Sequence, residues 1–69
     1  MNFVKVVDAN RKHWVLNTAH IVAVAPTWGE GAWSRGAQIL LDRSAYESGH
    51  INIDGDAVAP LLQQLGLTL

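Results

Sequence analysis

Three groups of residues in this 69-residue chain have types and spacings suited to chemistry. The first is Trp28 and Trp33 with Arg35, in the segment TWGEGAWSRG (27–36), which also holds Glu30 and three glycines. Indole rings beside a guanidinium make a stacking or cation–π surface for a base, a peptide or another subunit. The same rings folded inward would cap the core instead, and tryptophan is enriched at subunit interfaces. The second group is His50, Asn52 and Asp54, with Asp56 beyond. At i, i+2 and i+4 they share one strand face, and imidazole plus carboxylate suits zinc or a similar metal. Polar alternation also describes a plain solvated face. Asp54-Gly55-Asp56 lacks the remaining ligand positions of a calcium loop. The third group is His13 and His20. As cross-strand neighbours near Asp8 or Glu47 they would suit acid–base work; otherwise they are partly exposed strand residues.

Other catalytic patterns are missing. Ser34, Ser44 and Ser48 have no nucleophile context. No glycine-rich loop leads from a strand into a helix with phosphate-binding spacing. The expectation is a protein that is not an enzyme and carries no cofactor.

Composition narrows the classes. A single domain of this size buries only about 60% of its unfolded surface. Such chains usually need disulfides, a metal or a partner subunit. There is no cysteine, so disulfides and thiolate metal sites are excluded. The hydrophobic fraction is 49% and the charged fraction 16%, a balance that fits surface hidden in a homo-oligomer and equally a compact monomer with some exposed apolar atoms. Net charge is −1, from five Lys and Arg against six Asp and Glu, and the pI is near 6.2. No basic excess exists to follow a phosphate backbone, which disfavours nucleic acid as the partner. The start MNFVKVVD has no signal-peptide core, and the uncharged stretch around Ile21 is too short and polar to span a bilayer. A cytoplasmic protein with no membrane association is expected.

The elements that must position these groups centre on His13 to Trp28, HWVLNTAHIVAVAPTW. Alternation and turn residues predict strands near 3–8, 12–17, 20–25, 37–42 and 50–54. Asp8 to Arg11 reads as a hairpin turn, with Asn10 tolerant of left-handed backbone. Trp14 and Leu16 are assigned to the core side of the second strand. Asn17-Thr18-Ala19 breaks the pattern, and a bend or bulge there would let the sheet curl. The third strand has Ile21, Ala23 and Ala25 in one row and His20, Val22 and Val24 in the other. Both rows are apolar, which predicts a central or doubly covered strand. Ile39, Leu41, Ile51 and Ile53 point inward on the last two strands. Val58, Leu61, Leu62 and Leu65 follow helical spacing, giving a short helix near 57–65 with Asp56 as N-cap. Pro60 fits only within its first turn, and Gly66 ends it. The fold class is therefore mainly β: residues 1–69 form a strongly bent five-stranded antiparallel sheet or small barrel, with a C-terminal helix plugging one end.

That order resembles the Sm-like and SH3-like barrels. The resemblance covers strand order and length. Where Sm proteins carry a glycine in the bent second strand and an Asp-Asn pair after it, this chain has Trp14-Val15-Leu16-Asn17 and His20-Ile21-Val22. Where they carry Arg-Gly, it has His50-Ile51-Asn52-Ile53-Asp54-Gly55. Sm-type RNA binding is thus not implied. The chain is also similar in strand pattern to small FlbD-like flagellar proteins, through Val15-Leu16-Asn17 and Ile21. The function expected is a non-enzymatic protein–protein interaction module. It self-associates, most simply as a dimer, through edge strands or the Trp28/Trp33 loop. The alternatives are RNA or single-strand binding by that loop, and metal binding on the His50/Asn52/Asp54 face.

Overall fold

The computed structural model describes residues 2–29 and 31–67. Alternating apolar residues form five strands: β1 (Phe3–Val7), β2 (His13–Asn17), β3 (Ile21–Pro26), β4 (Ala37–Leu41) and β5 (His50–Ile53). One helix comes after them, α1 (Gly55–Gln64). The mainly β class with a short C-terminal helix is as the alternation implied. The strands divide between two antiparallel sheets, β1-β2 and β3-β4-β5, and no closed barrel forms.

The division occurs at the predicted bend. Asn17 turns its carboxamide oxygen onto the Ala19 N–H at 3.0 Å, and Thr18–His20 closes into a 3₁₀ turn. That turn occupies backbone groups that would otherwise continue β2 into β3. A bulge also forms, but in β3, where the register shifts between Ile21 and Ala23. The extra residue reverses the facing of the rest of the strand. Ile21 and Val24 pack against the core, while Val22, Ala23 and Ala25 are exposed. The two expected rows therefore do not run the length of the strand. Nor is β3 central or covered on both sides: it is the edge of its sheet, and Val22 is 72% exposed.

The core lies between the sheets. Val4, Val6 and Leu16 come from the hairpin, and Ala37, Ile39, Leu41, Ile51 and Ile53 from β4 and β5. Val58, Leu61 and Leu62 of α1 complete it. These eleven apolar residues are buried, and no polar or charged side chain among the described residues is. The helix starts at Gly55, two residues before the expected position, with Asp54 rather than Asp56 at its N-cap. Pro60 therefore lies beyond the first turn, inside the helix. Its missing N–H leaves one helical hydrogen bond unmade, at the carbonyl of Asp56. Asp56 and Pro60 are both exposed residues.

Two glycines permit this packing. A Cβ on Gly55 would lie 1.9 Å from the Ser34 carbonyl oxygen, so only a hydrogen lets the helix start touch the 3₁₀ turn Trp33–Arg35. Gly36 has φ +119°, and its Cβ would meet the Ile53 carbonyl at 2.8 Å. In the first hairpin the left-handed position is Arg11 (φ 67°), not Asn10. Gly55→Ala should cost about 1–3 kcal/mol through overpacking. Urea denaturation checks it, with the exposed Ala59→Gly as the comparison that removes atoms from α1 without a clash.

Candidate functional site

The loop singled out by sequence separates into two parts. Trp33 sits in the 3₁₀ turn Trp33–Arg35 and packs on the core. Trp28 is 65% exposed, and the Arg35 guanidinium lies 5.4 Å from its ring centroid. The loop thus presents one indole with one cation, not a pair of rings. Glu30, read as part of the same loop, lies outside the described residues.

The histidine groups also separate. His13 opposes Val7 in the β1-β2 ladder, and His20 ends the 3₁₀ turn. Because β2 and β3 do not pair, His13 and His20 are not cross-strand neighbours. His50, Asn52 and Asp54 do share an exposed side, and the His50 Nδ1 lies 3.2 Å from the Ser48 carbonyl. Among the described residues no cluster of three His, Asp or Glu side chains is placed to hold a metal ion.

A different constellation forms around Trp14. Its ring is half-buried and meets Tyr46 edge-on, with centroids 5.3 Å apart. Lys12 Nζ lies 4.5 Å from its ring centroid. Its Nε1 donates to Asp8 Oδ2 at 2.9 Å. Asp8 Oδ1 accepts from the Asn10 and Lys12 backbone N–H groups at 2.8 and 2.9 Å. One carboxylate thus closes the hairpin turn and anchors the indole. Three hollows meet at Trp14. One of 470 Å³ runs along β1 to the first turn of α1, past Asp54 and Pro60. One of 300 Å³ lies between the Asp8–Asn10 turn and the start of β5. One of 200 Å³ separates β2 from Leu41 and Tyr46. Sequence patterning gives no sign of Tyr46, which stands in a polar turn with no periodicity to mark it.

Strand edges are the other exposed feature. The bonds Thr18 N–H to Asn2 and Asp8 N–H to Lys12 bracket the β1-β2 ladder. Alternation then turns the Lys5 backbone groups away from β2. There Gln64 takes both: Lys5 N–H donates to Oε1 and Nε2 donates to the Lys5 carbonyl, each at 2.8 Å. A side-chain amide therefore makes the pair of bonds that a neighbouring strand would make. On β5 the Asn52 carbonyl accepts from Ala9 N–H at 2.9 Å. Among the described residues the outer sides of β2 and β3 pair with no strand.

The Trp14 indole, then the Lys12 N–H, hold the Asp8 carboxyl below its ordinary value near 3.8. The Ser44 hydroxyl and N–H do the same at Asp42. A depressed carboxylate stabilises the fold above its unfolded pKa, and that contribution disappears as pH falls through the folded value. Stability should therefore decline below about pH 4, and Asp8→Asn should flatten that decline while lowering stability at neutral pH. Denaturant midpoints measured from pH 2 to 7 check both signs.

No protein-family model, curated protein or solved structure matches this chain.

Proposed function

We propose that this protein is a non-enzymatic interaction module of Sm-like or SH3-like strand order that pairs with a second copy through β3. The observation that carries this reading is an apolar strand, Ile21–Pro26, left at the edge of its sheet. An unpaired edge presents backbone donors and acceptors to another strand. The Thr27 N–H to Gly36 bond fixes the β3-β4 alternation, so the Val24 N–H and C=O face the open side. Antiparallel pairing across a two-fold axis at Val24 would satisfy both and is self-complementary. Pro26 has no N–H to offer, which confines the pairing to a short window.

Exposed apolar side chains accompany the edge. Val22 projects from the bulge, and Leu40, opposite Ala23, is 36% exposed. Trp28 lies two residues past the strand and is exposed, with Arg35 over its ring. Val22 on the strand and Trp28 just beyond it add exposed apolar surface, with Arg35 as a neighbouring cation, and aromatic residues and arginine are what interfaces prefer over lysine. Burying that surface in a dimer supplies apolar contact that a 69-residue core lacks.

Sedimentation velocity tests this. The wild type should form a dimer at micromolar concentration. Val22→Lys, which adds a charge to an already exposed position, should sediment as a folded monomer. A wild type that stays monomeric, or a Val22→Lys protein that dimerises equally well, would contradict the reading.

A further inference from the structure

The 300 Å³ hollow between the first hairpin turn and β5 has a lining that the dimer reading does not use. Its wall is the Trp14–Tyr46 aromatic pair, and Asn10, Ser48, His50 and Asn52 surround it. Hydrogen bonds frame it: Asp8 ties the turn to the indole, and the Ala9 N–H to Asn52 bond ties the turn to β5. The polar groups around it are uncommitted. The side chains of Asn10, Ser48 and Asn52 and the Tyr46 hydroxyl make no hydrogen bond among the described residues. Among the described residues only the Nδ1 of His50 has a partner, the Ser48 carbonyl.

The chemistry of the occupant is set by these groups. No lysine or arginine is among the residues lining the hollow, and the nearest cation, Lys12 Nζ, is engaged with the Trp14 ring 4.5 Å from its centroid. The single carboxylate, Asp8, already accepts three N–H groups, so it has little left for an ammonium ligand. What remains is a set of neutral donors and acceptors around an aromatic wall. The volume is at the lower end of the range of about 300–1,000 Å³ usual for small-molecule sites, room for one ring. We infer that this hollow binds a single neutral, hydroxylated ring, a monosaccharide unit. Its C–H face rests on the aromatic pair and its hydroxyls pair with Asn10, Asn52, Ser48 and Tyr46. A nucleobase is the lesser fit, since a nucleotide brings a phosphate and the lining has no cation for it.

Nuclear magnetic resonance on the full chain tests it. Glucose and N-acetylglucosamine are titrated to about 50 mM, as millimolar affinity is expected of so small and open a site. The expected result is saturable shifts at the Trp14 indole N–H and the Asn10 and Asn52 side-chain amides. Asn52→Ala and Tyr46→Phe, which leave the Ala9–Asn52 backbone bond intact, should each weaken binding about tenfold. Gln63→Ala, at an exposed position of α1 that lines none of the hollows, should bind as the wild type does. Three results would overturn the inference: no saturable shift with either sugar, shifts that persist unchanged in both hollow variants, or uridine shifting the same resonances at lower concentration.

Discussion

Backbone groups at the edges of sheets must be paired, covered or left open, and that constraint organises this molecule. Two sheets have four edges, on β1, β2, β3 and β5. A closed barrel would pair them with one another. Here the 3₁₀ turn at Thr18–His20 prevents β2 from running into β3, and the edges are met separately. Gln64 covers β1, the Asp8–Asn10 turn reaches β5 through Ala9, and β2 and β3 stay open. The same division leaves hollows along the seams between the sheets. Candidate function therefore gathers at edges and seams, not in a central cavity.

The helix has two roles in this arrangement. Its apolar side, Val58, Leu61 and Leu62, fills the space between the sheets. Its polar end brings Gln64 to β1, where one amide group substitutes for a strand. Both depend on Gly55, because any larger residue would hold the helix start away from Ser34. A second polar anchor works at the other end. Asp8 ties the hairpin turn to Trp14, and Trp14 meets Tyr46 from the β4-β5 connection. Each anchor spans elements far apart in the chain, which suits a domain with a small core and no covalent staple.

Strand positions were legible because alternation is a local signal: Ile51 and Ile53 inward, His50 and Asn52 outward, needs only four residues. Helix spacing at Val58, Leu61 and Leu62 was legible for the same reason. The rows of β3 were not, since one bulge at Val22 reverses the facing of Ala23 and Val24, and composition carries no mark of it. The edge position of β3 was hidden as well, because an apolar strand reads alike whether a partner lies within the chain or outside it. Trp28 and Trp33 looked equivalent, yet the 3₁₀ turn at Trp33–Arg35 sends one to the core and leaves the other exposed. The Gln64–Lys5 bracket joins residues 59 apart in sequence. No local pattern reports such a contact.

Gln64 stands in for a missing strand at β1, while β3 goes without one. Amide hydrogen exchange, read residue by residue at low protein concentration, tests this most directly. Lys5 N–H should exchange slowly and Val24 N–H quickly, and Gln64→Ala should release Lys5 to the rate of an open edge while Ile39 in the centre of β4 stays protected. Equal protection at Lys5 and Val24, or a Lys5 rate that Gln64→Ala leaves unchanged, would contradict it.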